Sequence, residues 1–309
     1  MALIPLILDC DPGHDDALAI VAAAAHAELL GVTTVAGNAP LSATTRNALI
    51  VLDLIARSDV PVHAGAARPL VAPPRYASHV HGESGLDGAD LPEPSRHATG
   101  DRAADFIIET VRANEGTWLV GTGPLTNIAI ALRLAPDLAT KVGGISVMGG
   151  GRFGNITTAA EFNIWADPEA AEMVFDYGGP LIMAGLDLTH QFQAIPSRIA
   201  SVRAIGSRLS TALADLLDFF SDTYVGRHDN MQGAAVHDPC AVLALTHPQL
   251  FTSRPRRVVV ETAGVHTRGM TLIDDRGLLE RNAANTTLLE TIDVDAGFEI
   301  LIESIRTLS

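Results

Sequence analysis

The chain has 309 residues, a mass of 32.4 kDa and a formal charge of −15, from 21 basic and 36 acidic side chains. With 47% hydrophobic and 18% charged residues the composition is globular, and surface scaling for this mass buries about three-quarters of the unfolded chain's surface. The acidic balance excludes a nucleic-acid polymer as partner, since phosphate tracking needs clustered Lys and Arg, but it leaves room for a cation or a small uncharged ligand.

Two cysteines, Cys10 and Cys240, rule out a disulfide scaffold, and a reduced, cytoplasmic protein is expected. The N-terminal run Met1–Asp9 has no basic leader and reads as a buried first strand, not a signal peptide. The most apolar stretch, Ala17–Leu30, is interrupted by His26 and Glu28 and is too short to span a bilayer. No membrane partner is expected.

In chain order, Ile4–Asp9 reads as a strand and Asp15–Ala27 as an Ala-rich helix. Leu30–Ala36 follows as a strand and Leu41–Arg57 as a helix. A helix is predicted over Asp101–Asn114 with Asp101 as N-cap, then a strand at Thr117–Gly121 and a helix at Pro124–Ala135. Gly144–Met148 is the next strand. Asp167-Pro168 is an N-cap with proline at N1, opening a helix to about Tyr177, and Pro180–Ala184 is a strand. Past residue 196 helices are predicted around Ser197–Ile205, Leu209–Tyr224 and Ala296–Thr307, with strands at Arg257–Glu261 and Met270–Asp274. The alternation predicts an α/β fold, a doubly wound and mainly parallel sheet in a single domain spanning 1–309. The stretch from Gly65 to Gly100, rich in Pro, Gly and His, is long for a structureless loop and is expected to cover a site.

The densest chemistry is Asp9-Cys10-Asp11-Pro12-Gly13-His14-Asp15-Asp16, four aspartates at the carboxyl end of the first strand and the start of the first helix. In open α/β sheets that crevice binds ligands. A helix N-terminus accommodates one or two carboxylates, which suits Asp15 and Asp16. Asp9 and Asp11 as well would crowd like charges, and a divalent cation relieves that conflict. All-oxygen donors favour Ca²⁺ or Mg²⁺ over zinc. Val236-His237-Asp238-Pro239 places a further acid before a Pro-initiated helix, where capping and ligation both fit. Gly121-Thr122-Gly123-Pro124 is another strand-to-helix turn, and Met148-Gly149-Gly150-Gly151 lacks dinucleotide-fingerprint spacing.

This opening resembles that of the inosine–uridine-preferring nucleoside hydrolases. The likeness runs in order through Gly37-Asn38, His81-Gly82-Glu83-Ser84-Gly85, Thr122–Asn127, Met148–Gly151, Glu161-Phe162-Asn163, Gly185–His190 and Val236–Cys240, nearly the whole chain. The resemblance implies a nucleoside hydrolase fold, Rossmann-like with a mixed, mainly parallel sheet, and hydrolysis of the N-glycosidic bond of ribonucleosides. It implies one Ca²⁺ held by Asp11, Asp16, Asp238 and the Thr122 carbonyl, with Asp11 as general base toward a water on the ion. Asp15, Asn38 and Asn163 would bind the ribose 2′/3′ diol, and Asn155 and Glu161 the 5′-hydroxyl beside Met148. Asp238 would also lie against the substrate. His237 would assist the leaving group, with His81 and Tyr224 near the base. A homodimer or homotetramer is implied.

These residue types suit the chemistry. Cleavage builds oxocarbenium character at C1′, which carboxylates and amides around the sugar stabilise. The departing base needs a proton donor such as His or Tyr. Two departures from broad-specificity members stand out: the segment Arg152–Asn155 is one residue shorter, and Phe220 stands where those members carry a second tyrosine. Arg227 and His228, in an individual loop, read as solvated. The Asp9-x-Asp11 pattern after an apolar strand also fits a haloacid-dehalogenase-like Mg²⁺ phosphohydrolase, although Pro12 departs from that pattern. The same crevice would serve a non-catalytic ribonucleoside-binding protein.

Overall fold

The computed structural model describes residues 3–224, 231–276 and 283–309. Arg227 and His228 lie outside the described residues. The chain begins with β1 (Pro5–Cys10), α1 (His14–His26), β2 (Glu28–Thr34), α2 (Leu41–Leu54), β3 (Val62–Ala64), a short α3 (Ser78–His81) and α4 (Ala103–Ala113). It continues with β4 (Trp118–Gly121), α5 (Thr126–Leu134), β5 (Gly144–Met148), α6 (Phe162–Ala166), α7 (Pro168–Phe175), β6 (Leu181–Ala184) and α8 (Leu186–Thr189). Then come β7 (Gln193–Ala194), α9 (Pro196–Arg203), α10 (Arg208–Tyr224), β8 (Ala234–Ala235) and α11 (Pro239–Thr246). The last elements are β9 (Phe251–Arg256), β10 (Val258–Val260), β11 (Thr271–Ile273), β12 (Thr286–Ile292) and α12 (Val294–Thr307).

The central sheet has the order β3-β2-β1-β4-β5-β6-β12-β9. Its pairs are parallel except β12 with β9. The first six strands follow the doubly wound order, which reverses between β1 and β4. The acidic opening therefore leaves β1 at the topological switch point, beside the turn that follows β4. Two small antiparallel pairs, β7 with β8 and β10 with β11, lie outside the sheet.

Strand pleating explains why β1 is apolar on both faces. Leu6, Leu8 and Cys10 enter one core with α1, α2, α10, α11 and α12, while Ile7 enters the other with α4, α5 and α7. The strands were legible because burial on both sides leaves a continuous apolar run. Asp167 caps α7, accepting from the Ala170 amide at 3.2 Å, as expected. Asp101 is not the cap of α4: Arg102 occupies that position and the helix starts at Ala103. Three strands of the central sheet, β3, β9 and β12, were not predicted. Among the described residues no helix is long and apolar enough to cross a membrane.

Candidate active site

The turn from β1 into α1 puts four acids into the switch-point crevice with almost no solvent around them. Asp9 and Asp15 are 2% and 3% exposed, and Asp11 and Asp16 fully buried. Asp9 has partners of its own. Its Oδ1 accepts from the Thr33 hydroxyl at 2.6 Å and from Asn127 Nδ2 at 2.8 Å, which makes it a structural clamp. Asp11 Oδ2 accepts from the Asn38 amide at 2.6 Å, while its Oδ1 is buried without a hydrogen-bond partner. Glycines allow that placement: a Cβ at Gly37 would sit 2.0 Å from Asp11 Oδ2, and one at Gly123 2.5 Å from Oδ1.

Asp16 serves the helix start, accepting from the Gly13 amide at 2.9 Å, and also takes the Thr122 hydroxyl at 2.8 Å and Asn38 Nδ2 at 3.2 Å. Asp15 Oδ2 reaches across to the residues just before α11, accepting from the amides of His237 at 3.0 Å and Asp238 at 3.4 Å. Asp238 occupies the N-cap position of α11 but its side chain makes no capping bond. Capping therefore does not explain it. Its carboxylate turns to Asp15 and Asp16 instead, and oxygens of these three acids lie within 4.8 Å of one another.

Such crowding has an electrostatic signature. Burial, then repulsion among the neighbouring carboxylates, holds Asp11 and Asp238 well above the ordinary carboxylate range. Asp15 is pushed up to about 7 by burial and by Asp16, and Asp16 is raised by burial. A buried cluster of hard oxygen donors, with an orphaned Asp11 oxygen beside it, fits a divalent cation of the Ca²⁺ or Mg²⁺ class. The converging trio contains Asp15, whereas the expected ligand set drew on Asp11 together with Asp16 and Asp238. Asp11 adjoins the trio closely enough for its charge to help push up the pKa of Asp238.

Beside the acids lies a cavity of about 240 Å³. Asp15, Asn38, Thr122, Met148, Asn155, Glu161, Asn163, Tyr224, His237, Asp238 and His81 all line it, so every expected substrate contact meets in one space, while Asp11 and Asp16 lie outside its lining. Asn163 Nδ2 donates to the Thr122 carbonyl at 2.8 Å and the Met148 carbonyl at 3.2 Å, binding the ends of β4 and β5 together. Glu161 caps α6: it accepts from the amides of Asn163, Ile164 and Gly150, and burial pushes its carboxyl up to about 7. Asn155 Oδ1 accepts from the Phe162 amide at 2.9 Å, which fixes its segment against the cavity rim. The long stretch before α4 does cover the site, through α3 and its His81.

Aromatic and imidazole rings line the same cavity. His237 is held at both nitrogens, Nδ1 by the Thr189 hydroxyl at 2.7 Å and Nε2 by the Tyr224 hydroxyl at 2.6 Å. Burial and surrounding carboxylates raise the Tyr224 phenol, so it stays protonated at neutral pH. Phe220, 1% exposed, forms an apolar wall. Sequence reasoning missed Thr189, Asn127 and His14, the last buried beside His81; each stands inside or next to a quoted motif but has a residue type that carries no signal alone.

The sequence model for the family described as inosine-uridine preferring nucleoside hydrolase matches residues 6–299. The chain belongs to that family. This nucleoside hydrolase is thus an enzyme, a hydrolase of N-glycosyl compounds. It is 45% identical over 310 residues to the pyrimidine-specific ribonucleoside hydrolase RihA of Enterobacter sp. (strain 638), covering 99% of both chains. Among solved structures, the purine-preferring ribonucleoside hydrolase from Gardnerella vaginalis superposes with a TM-score of 0.92 at 33% identity, covering 98% of each chain. A plant nucleoside hydrolase, PpNRh1, gives a TM-score of 0.90 at 30% identity, also covering 98% of each.

Proposed function

We propose that this nucleoside hydrolase is a Ca²⁺-dependent ribonucleosidase that releases free base and ribose, with pyrimidine ribonucleosides as preferred substrates. The observation that carries the reading is one cavity lined both by acids and amides and by His237, Tyr224 and His81. The acids and amides suit a sugar diol and developing positive charge, the rings a departing base. Asp11, Asp16, Asp238 and the Thr122 carbonyl would hold the ion. When bound, Ca²⁺ supplies Lewis acidity that lowers the pKa of water and offsets the carboxylate crowding.

Asp11 takes the proton of the attacking water on its free Oδ1 as the water oxygen bonds to C1′ and the C1′–N bond breaks. Asp15, Asn38 and Asn163 hold the 2′ and 3′ hydroxyls, and Asn155 and Glu161 the 5′-hydroxyl beside Met148. Negative charge from these acids favours the oxocarbenium-like transition state over the neutral substrate. His237, steered by Thr189 and Tyr224, delivers a proton toward the departing base. Pyrimidine preference is supported by the 45% identity to an enzyme named pyrimidine-specific, and by Phe220 offering no hydroxyl to a purine ring. A homodimer or homotetramer in the cytoplasm is the assembly this reading carries.

The test is a panel of uridine, cytidine, inosine and adenosine with 2′-deoxy controls. Pyrimidine ribonucleosides are expected to turn over fastest and deoxynucleosides poorly, because a missing hydroxyl strands buried partners. Faster purine turnover would contradict the base preference. Equal use of deoxy substrates would contradict the role of the diol-binding residues.

A further inference from the structure

His14 is a fully buried histidine in the first turn of α1, stacked on Phe219, Phe220 and His81 at centroid distances of 5.3, 5.3 and 5.1 Å. Both its ring nitrogens have partners. Nε2 lies 2.8 Å from the Asp87 carbonyl oxygen and Nδ1 lies 2.9 Å from His81 Nδ1. A carbonyl can only accept, so His14 Nε2 carries the hydrogen. In an uncharged ring His14 Nδ1 is then a lone pair, and the donor facing it is His81 Nδ1–H. The His14 amide also points its N–H at His81 Nδ1, at 3.4 Å, and this longer bond is the one lost when Nδ1 carries the hydrogen that His14 Nδ1 accepts at 2.9 Å. If His81 Nδ1 were the acceptor instead, His14 would hold hydrogens on both nitrogens and form a cation among phenyl rings. His81 Nε2 is left without a hydrogen-bond partner among the described residues, and His81 lines the cavity.

We propose that His14 is a positioning residue that fixes His81 as the Nδ1–H tautomer, so that His81 offers its Nε2 lone pair to the base and selects a base edge carrying an N–H. Uracil N3–H and the cytosine amino group provide such an edge. This rests on the reading that the cavity binds ribonucleosides, and it makes His81 a recognition group and not the proton donor. Proton delivery to the departing base falls to the His237 side.

The variants are His14→Phe, which keeps a ring in the stack but removes the lone pair, and His14→Gln. Glutamine can donate to the Asp87 carbonyl and accept from His81 with one amide. The direct readout is ¹⁵N NMR of the histidine rings in the full-length enzyme, with His81 assigned by His81→Asn. His81 should show a protonated Nδ1 and an unprotonated Nε2 in the wild type and in His14→Gln. In His14→Phe the hydrogen should shift to Nε2. On uridine, His14→Phe should lower kcat/KM about tenfold, chiefly through KM, the effect of one lost hydrogen bond. His14→Gln should stay within about threefold of wild type. A wild-type His81 protonated at Nε2 would overturn the assignment, and so would a tautomer unmoved in His14→Phe. The wild-type spectrum decides even if His14→Phe does not fold. Absence of ribonucleoside turnover by the wild type would instead overturn the functional reading and the base-recognition half, with the tautomer measurement still standing.

Discussion

Asp11 shows most plainly how one side chain is prepared for chemistry. One oxygen is pinned by the Asn38 amide, two glycines leave the space the carboxylate occupies, and the other oxygen is buried and unpartnered. Asp11→Ala should keep the fold and lower kcat by about 10³-fold or more, because it removes the proposed general base together with a proposed metal ligand. Steady-state kinetics beside a thermal melt separates that outcome from unfolding. His237 makes a different prediction. His237→Ala should reduce kcat on uridine by about 10²-fold but much less on a nucleoside whose leaving group needs no proton, such as a nitrophenyl riboside. Equal losses on both substrates would remove His237 from the proton-donor role.

The acids also predict how calcium and pH combine. Asp15 has its carboxyl raised from 3.8 to about 7, and Asp11, Asp16 and Asp238 are raised as well. For a carboxyl raised in the folded state, no penalty exists below pH 3.8, where both states are protonated. Stability falls as pH climbs from there toward 7, while the unfolded state ionises first. The calcium-free enzyme should therefore lose stability between pH 5 and pH 8, and added Ca²⁺ should raise Tm more at pH 8 than at pH 5. A calcium shift independent of pH, read by calorimetry, would count against carboxylate ligation.

At the scale of elements, Asn127 on α5 is a junction. Its Nδ2 donates to Asp9 Oδ1 at 2.8 Å and the Thr34 carbonyl at 3.0 Å, and its Oδ1 accepts from the Ala66 amide at 2.8 Å. It thereby ties β1, the end of β2 and the start of the covering stretch. Asn127→Ala should cost about 2–4 kcal/mol, from buried groups left unpaired, with a smaller effect on kcat. Chemical denaturation measures it. Elements with both faces buried, such as β1, β4 and β5, were legible because their runs are apolar and bounded by Gly, Pro or Asp. Three sheet strands were not. β9 carries Pro255 and lies at the sheet edge, where proline is tolerated, so its sequence argues against a strand. β3, at the other sheet edge, has only three residues, too few to show a pattern. β12, Thr-Thr-Leu-Leu-Glu-Thr-Ile, is neither alternating nor continuously apolar, and only its distant neighbours β6 and β9 define it. The site was legible wherever a motif clusters charges, as at Asp9–Asp16 and His237-Asp238. It was not where neutral residues act through partners far along the chain, as Thr189, Asn127 and His14 do.

For the molecule as a whole, the sheet order explains why those scattered motifs meet. A reversal between β1 and β4 opens one crevice, and the segments after β1, β2, β4 and β5 all empty into it. The start of α11 reaches it from the helical layer. The acidic composition gains a local meaning: a few of the 36 acids converge in a buried site while the others lie elsewhere in the sequence. The central claim is that this buried acid site, filled with calcium, cleaves the ribosidic bond. The most direct measurement is release of uracil and ribose from uridine by enzyme stripped of metal and then titrated with Ca²⁺. The account predicts negligible release without the ion and saturable recovery with it, abolished in Asp11→Ala. Full turnover in the metal-free enzyme, or none from any ribonucleoside at saturating calcium, would contradict it.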